Sequence, residues 1–342
     1  MSQLKQLYYT LSSVLPVTQL LKAAGNPVLF PYHHLVSNHN ALHIRHLYSY
    51  KNEQQFADDL DYMLRYLRPV SANELSAAVK SKQPLPSNAF LMSFDDGLRE
   101  VYDVIAPVLL KKGIPAVFFI NPAFVDNKEL FYRCKLSLII EELSNTDVSI
   151  QLLEQCRNLL NLPSHTSLNE VKHAVKQINN LTAHLADELG LLLGISFNDF
   201  LETQQPFLTT EQITELGKKG FTIGAHSWNH PYYHLLTDEE KLEQTISSMN
   251  YVTTHFKPSV TTFSFPHFDN RLSQTFFDAL KERTSIDLLF GIQNQKYELQ
   301  NKMLHRFNAE RPELPFKKQL HGVLLFMILQ RFTGMHAVKR KV

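Results

Sequence analysis

The chain has 342 residues, 44% hydrophobic and 20% charged, with a formal net charge of +1. That is an ordinary globular composition, long enough to bury a large core without staples, and it gives no electrostatic case for a nucleic-acid partner. The two cysteines, Cys134 and Cys156, are too few for a disulfide framework and fit a reducing compartment.

Residues 1–25 read as an amphipathic helix with Lys5 and Lys22, lacking the continuous apolar core and small-residue cleavage site of a signal peptide. The expectation is a cytoplasmic protein, membrane-associated at most. Gly25-Asn26-Pro27 breaks the pattern, and Val28 to His34 reads as a short strand with a polar exit. Residues 35–50 form a loop with His39, His43 and His46. Asn52 to Leu67 has the apolar spacing of a helix facing a core, and Ser71 with Glu74 makes a capping box for the next one. Phe90 to Phe94 is an apolar strand that ends in Asp95-Asp96-Gly97. Leu98 to Lys112 is helical in pattern, with Pro107 marking a kink or restart and Gly113 the C-cap. Pro115 to Ile120 is a second buried strand, so this strand–helix–strand unit is parallel.

Residues 130–205 read as a helical insertion with no strand and no catalytic feature, suited to a lid or a partner surface. The core resumes at Leu208. Thr209 and Gln212 cap a helix, Phe221 to Ala225 is a strand that runs into His226-Ser227-Trp228-Asn229-His230-Pro231, and Thr237 with Glu240 caps a helix reaching about His255. Val260 to Pro266, Ile286 to Phe290 and Met303 to Phe307 read as strands. Val323 to Leu329 is too short to span a bilayer, and Arg331, Lys339, Arg340 and Lys341 follow it. Two readings suit that segment: a docked terminal helix with a solvated tail, or a peripheral contact with an anionic membrane surface. The organisation is therefore an N-terminal helix (1–25), an α/β domain (26–310) interrupted at about 130–205, and a C-terminal helix with a basic tail (311–342).

Two adjacent carboxylates at a strand exit are costly to bury unless a cation shares the site. Gly97 supplies a sharp turn there. A plain strand-to-loop turn accounts for the same residue types. The 16 histidines make three i, i+4 pairs, at 39/43, 226/230 and 230/234, so spacing alone selects none. Position does: the 226/230 pair begins where a buried strand ends, as Asp95-Asp96 does, and Pro231 biases His230 away from the right-handed helical region. One aspartate and two neutral imidazoles make a three-ligand site with an open position, as in catalytic zinc centres. A divalent ion there lowers the pKa of its water to about 7, and the other aspartate is left to take the proton.

Ser93-Phe94-Asp95-Asp96-Gly97 and His226-Ser227-Trp228-Asn229-His230 resemble the first two motifs of the polysaccharide deacetylases of carbohydrate esterase family 4, the NodB-homology domain. The resemblance covers roughly residues 26–125 and 206–310. It implies a distorted (β/α) barrel, Asp95 as general base, and Asp96, His226 and His230 as ligands of one divalent ion. Zinc comes first among candidates, with cobalt, nickel and manganese also suited to these donors. The implied reaction is hydrolysis of an acetyl group, N-acetyl before O-acetyl, from an amino sugar in a glycan or glycan precursor. The third motif departs from the family: Ser264-Phe265-Pro266-His267-Phe268 lacks its arginine and tyrosine. The main-chain N–H of His267 remains available as oxyanion donor. Arg306 is the candidate to hold Asp95, with Arg271 behind it. Leu304-His305 resembles the last motif and makes His305 the expected general acid. Trp228 and His33 suit packing as well as pocket lining. Two other functions fit the same residues: a glycan-binding or scaffold protein that has lost activity, and a metal amidohydrolase on a non-sugar amide.

Overall fold

The computed structural model describes residues 8–10, 12–298 and 303–341. After helix α1 (Val17–Ala23), the first strands are β1 (Val28–Leu29) and β2 (Pro31–His33), followed by helix α2 (Glu53–Leu64), β3 (Arg68–Pro69) and helix α3 (Ala72–Ser81). Next come β4 (Ala89–Phe90), β5 (Met92–Phe94), helix α4 (Ala106–Lys111) and β6 (Ala116–Ile120). Helices α5 (Tyr132–Asn145), α6 (Ile150–Leu159), α7 (Leu168–Gln177), α8 (His184–Leu192) and α9 (Phe197–Gln204) form the insertion. The remainder is α10 (Thr210–Lys218), β7 (Thr222–Ala225), α11 (Asp238–Phe256), β8 (Thr262–Ser264), α12 (Gln274–Arg283), β9 (Leu288–Gly291), β10 (Tyr297–Glu298), β11 (Met303–His305), β12 (Phe307–Asn308) and α13 (Phe316–Thr333).

The main sheet runs β10-β11-β9-β8-β7-β6-β5-β2-β12, parallel except at β10 with β11. Its two ends meet in one stretch of chain. The Arg306 amide donates to Gly291 of β9, and the next amide, Phe307, donates to Phe30 beside β2. Met303 to Asn308 thus joins the edges into a distorted (β/α) barrel, and Arg306 sits at the seam. Strand alternation sorts the side chains. Val117 and Phe119 of β6 pack with Phe30, Leu91 and Phe290 in one apolar cluster, whereas Ala116, Phe118 and Ile120 pack with the helices in another. Complete burial of each such phenylalanine is worth roughly 1.5–3 kcal/mol.

The capping boxes at Ser71, Thr209 and Thr237 form as the sequence predicts. The helix expected over Leu98 to Lys112 divides: Val101–Ile105 is one π-helical turn, and the α-helix restarts at Ala106 with Pro107 in its first turn, where no N–H is needed. Gly113 ends it at φ +64°. The predicted N-terminal helix is described only in part, since residues 1–7 and 11 lie outside the described residues; α1 packs against α13. The insertion owns an apolar cluster (Leu136, Ile139, Val171, Leu189) and presents Phe131 and Cys134 to a second cluster on the barrel. Among the described residues no helix is long and apolar enough to cross a membrane.

Candidate active site

Alternation along the Leu91–Asp95 segment places Leu91, Ser93 and Asp95 on the face that meets the seam. Arg306, fully buried, makes a two-pronged pair with Asp95: Nη1 donates to Oδ1 and Nη2 to Oδ2, both at 2.7 Å. Its remaining bonds go to Ser93 Oγ (3.0 Å) and Ser264 Oγ (2.6 Å), and its plane lies 4.6 Å from the Tyr32 ring centre. Burial pushes the Asp95 carboxyl up, but the Arg306 guanidinium and the His226 ring outweigh it, and the group ends below the usual carboxylate range.

The chain then turns through two left-handed residues, Asp96 at φ +73° and Gly97 at φ +62°. Left-handed backbone suits Gly97, and a β-carbon there would meet Ile120 Cγ2 at 3.3 Å. Asp96 gains nothing from that conformation by itself, and such strain gathers at functional sites. Asp96 Oδ1 lies 3.2 Å from His230 Nε2 and 3.6 Å from His226 Nε2. It is buried and accepts no hydrogen bond among the described residues. The three potential ligand atoms of Asp96, His226 and His230 fall within 4.8 Å of one another.

The 226–230 loop is held mainly through its backbone. Asn121, at the end of β6, donates to the carbonyls of His226 and Ser227. Gln244 Oε1 accepts from the amides of Trp228 and Asn229, and Ser227 Oγ accepts from His230 N. His230 leaves the right-handed region as Pro231 predicts, but at φ +60° it is left-handed rather than extended. Each imidazole is set by its other nitrogen. His226 Nδ1 donates to the Ser264 carbonyl at 2.8 Å, which leaves the Nε2 lone pair facing Asp96. His230 Nδ1 lies 3.1 Å from His267 Nε2, so His267 orients one candidate ligand. Burial pushes the His226 imidazole down to about 4, so it stays neutral, as a ligand must.

These groups line a cleft of about 360 Å³, within the range of small-molecule sites. His34 shares it. Its Nδ1 contacts Glu310 Oε2 at 2.8 Å, and Glu310 Oε1 also accepts from the amides of His34 and Leu35. Burial alone would lower the His34 imidazole, but Glu310 outweighs it and raises the group to about 9. Tyr48 lines the same space with a buried hydroxyl that has no hydrogen-bond partner among the described residues, and Arg133 enters from the insertion. The opening therefore offers a two-imidazole, one-carboxylate cage, a carboxylate held by arginine, and a protonated imidazole opposite.

A family model described as polysaccharide deacetylase matches residues 82–282, more than half the chain. The chain belongs to the polysaccharide deacetylase family. Membership implies hydrolysis of an acetyl group from a carbohydrate. No curated protein sequence matches the chain. Among solved structures, the chain is similar to the Streptococcus pyogenes deacetylase PplD in complex with acetate (12% identity, 86% of this chain and 97% of that one, TM-score 0.55). It is also similar to IcaB from Ammonifex degensii (16%, 87% and 98%, TM-score 0.54) and a de-N-acetylase from Aggregatibacter actinomycetemcomitans (15%, 86% and 99%, TM-score 0.52). At these identities the likeness concerns the fold, a distorted barrel of the deacetylase kind.

Within this deacetylase fold, Asp95, Asp96, His226, His230, His267 and Arg306 come together as the sequence predicts, and His305 does not. Its ring is fully buried, with Nε2 against Glu298 Oε2 at 2.9 Å and Nδ1 accepting from Gln293 N at 3.4 Å. It belongs to a separate cluster with Asp269 and Glu298, closed by Arg340 from the C-terminal tail. Both ring nitrogens are committed there, so His305 has no proton to deliver to the cleft. Arg271 is exposed and plays no part. Ser264, in the place of the family arginine, is small enough to admit the Arg306 guanidinium, which reaches it from beyond β9, and accepts a hydrogen bond from it. His33 packs on Phe94 and Phe56, and Trp228 lies outside the cleft at the edge of Tyr251. The insertion, read as chemically silent, supplies Phe131, Arg133 and Cys134 to the wall. His34, Tyr48 and Glu310 went unidentified because single polar residues in loops carry no periodic signal. The one available hint was that His34 immediately follows a buried strand.

Proposed function

We propose that the protein is a metal-dependent deacetylase that removes an N-acetyl group from an amino sugar within a glycan or glycan precursor. The observation that carries this reading is the orphaned, buried Oδ1 of Asp96, facing two imidazole Nε2 atoms beside a carboxylate locked by Arg306. A buried acceptor without a donor is costly, and a divalent cation, zinc first among those suited to these donors, satisfies it. When bound, that ion supplies Lewis acidity to the acetyl carbonyl and acidifies a water. Asp95, kept ionised and fixed in angle by Arg306, takes the proton from the attacking water. The His267 main-chain N–H has no acceptor among the described residues and is available to the developing oxyanion. His34 delivers a proton to the departing nitrogen, and Glu310 fixes its ring. An amine needs that proton more than an alkoxide does, which favours the N-acetyl linkage. Tyr48 and Arg133 are placed to hold sugar hydroxyls.

The test pairs metal content with acetate release from N-acetylated oligosaccharides. Wild-type protein should hold about one divalent ion per chain, and a His226→Ala, His230→Ala variant none. Failure to bind zinc or cobalt in either protein sinks the mechanism. Metal retention without acetate release leaves a glycan-binding protein.

The His34–Glu310 pair sets the alkaline limb of activity. His34 is protonated below about 9 and loses its donor as pH rises through that value. Glu310→Gln removes the group that raises it, so the alkaline limb of kcat should move to lower pH. A limb that stays in place excludes His34 as the donor.

A further inference from the structure

We infer that the face built by the two chain ends is a docking surface for an anionic lipid bilayer. Charge is segregated along this chain. Residues 1–30 and 314–342 contain eight basic side chains and no aspartate or glutamate, in a chain whose total is +1. The fold gathers these ends. The Ser12 carbonyl meets His321, and a β-carbon at Gly25 would touch Arg331, so the stretch from Ser12 to Gly25 runs beside α13 from His321 to Arg331. One face of α13 is committed to the protein through Leu320, Leu324 and Gln330. The opposite face shows Phe326, Leu329 and Phe332 at successive three-residue steps, which places them on one ridge. Phe332 is 85% exposed and Met335, just beyond the helix, 60%.

Basic groups flank this ridge. Lys22, Lys317, Arg331, Lys339 and Lys341 are all exposed, and among the described residues none makes an ion pair. Arg340 turns inward, to Asp269 and Glu298. Apolar side chains at the crest with unpaired cations around them match the two layers of a membrane interface: acyl chains below and anionic headgroups above. A second copy of the chain would set lysine against lysine on this face, which disfavours self-association. The helix cannot span, since its other face is packed and it carries three cationic residues.

The experiment is sedimentation of full-length protein with phosphatidylcholine vesicles, with and without phosphatidylglycerol. Wild-type protein should pellet with the anionic vesicles only, less so as salt rises. Lys339→Glu with Lys341→Glu should weaken binding by about five-fold or more per lysine, and Phe332→Ser with Met335→Ser should abolish it. Thermal stability and acetate release from a soluble oligosaccharide should not change in either variant. Both pairs are solvent-facing, so at least one variant will remain folded. Wild-type protein left in the supernatant, or variants that bind as well as wild type, overturn the proposal. So does a dimer in solution that dissociates on Phe332→Ser with Met335→Ser, because the ridge is then an interface between copies.

Discussion

Asp95→Asn should reduce turnover by about two to four orders of magnitude while leaving metal content at the wild-type level. The substitution keeps the shape of the side chain and one acceptor oxygen, so the Nη1 or Nη2 bond from Arg306 survives on one prong. Among the described residues, it removes the only carboxylate lining the cleft that is not already assigned to the cation. The three atoms proposed to hold the ion belong to Asp96, His226 and His230, and none depends on Asp95 for its orientation: His226 is set by the Ser264 carbonyl and His230 by His267. Loss of activity with retained metal therefore separates the base from the ligands. Stability supplies a second readout. Asp95 and Asp96 both lie below the usual carboxylate range in the folded protein, so the stability they contribute is present above the unfolded value near 4 and is lost as pH falls through the folded values. Asp95→Asn should be less stable than wild type at neutral pH and lose less on acidification. Turnover within ten-fold of wild type would remove Asp95 from the role of base.

The parts of this site legible in the sequence share a local signal. Asp95-Asp96 and His226…His230 each follow an unbroken apolar strand, so residue order alone places them at strand exits, and the barrel brings those exits together. The parallel unit, the capping boxes and the helix restart at Pro107 are likewise short-range chemistry. What could not be read locally was which face of the last strand points where. Leu304-His305-Arg306-Phe307 offers a histidine and an arginine side by side, and alternation sends neighbours to opposite sides. Arg306 enters the interior and His305 is left in the Asp269–Glu298 cluster. A motif carried over by resemblance assigned the histidine; the register of β11 with β9 gave the arginine the central place instead. Glu310 and His34 are 276 residues apart in sequence and touch only because β12 lies beside β2.

Arg306→Ala should produce the largest loss of stability of any single substitution in the cleft. Arg306 is fully buried and satisfies both oxygens of Asp95 together with Ser93 and Ser264. Truncation strips a buried carboxylate of the cation that is bonded to both its oxygens, a change worth roughly 3–5 kcal/mol. A typical domain has about 5–15 kcal/mol in total. The effect reaches beyond the pair, because the same residue lies at the seam where one amide bonds β9 and the next bonds Phe30 beside β2. Arg306→Lys separates charge from geometry. It keeps a cation near Asp95 but presents a point charge in place of a planar fork, so stability should return in large part while turnover stays low. With the guanidinium gone, burial acts on Asp95 unopposed by its strongest partner, so the acid limb of kcat should move to higher pH in Arg306→Lys. The two residues form one unit, and their substitutions should be far from additive: Asp95→Asn made in an Arg306→Lys background should cost much less turnover than in wild type. Additive losses, or an acid limb that does not move, would mean that Arg306 supports only the barrel seam and that something other than its fork orients the base.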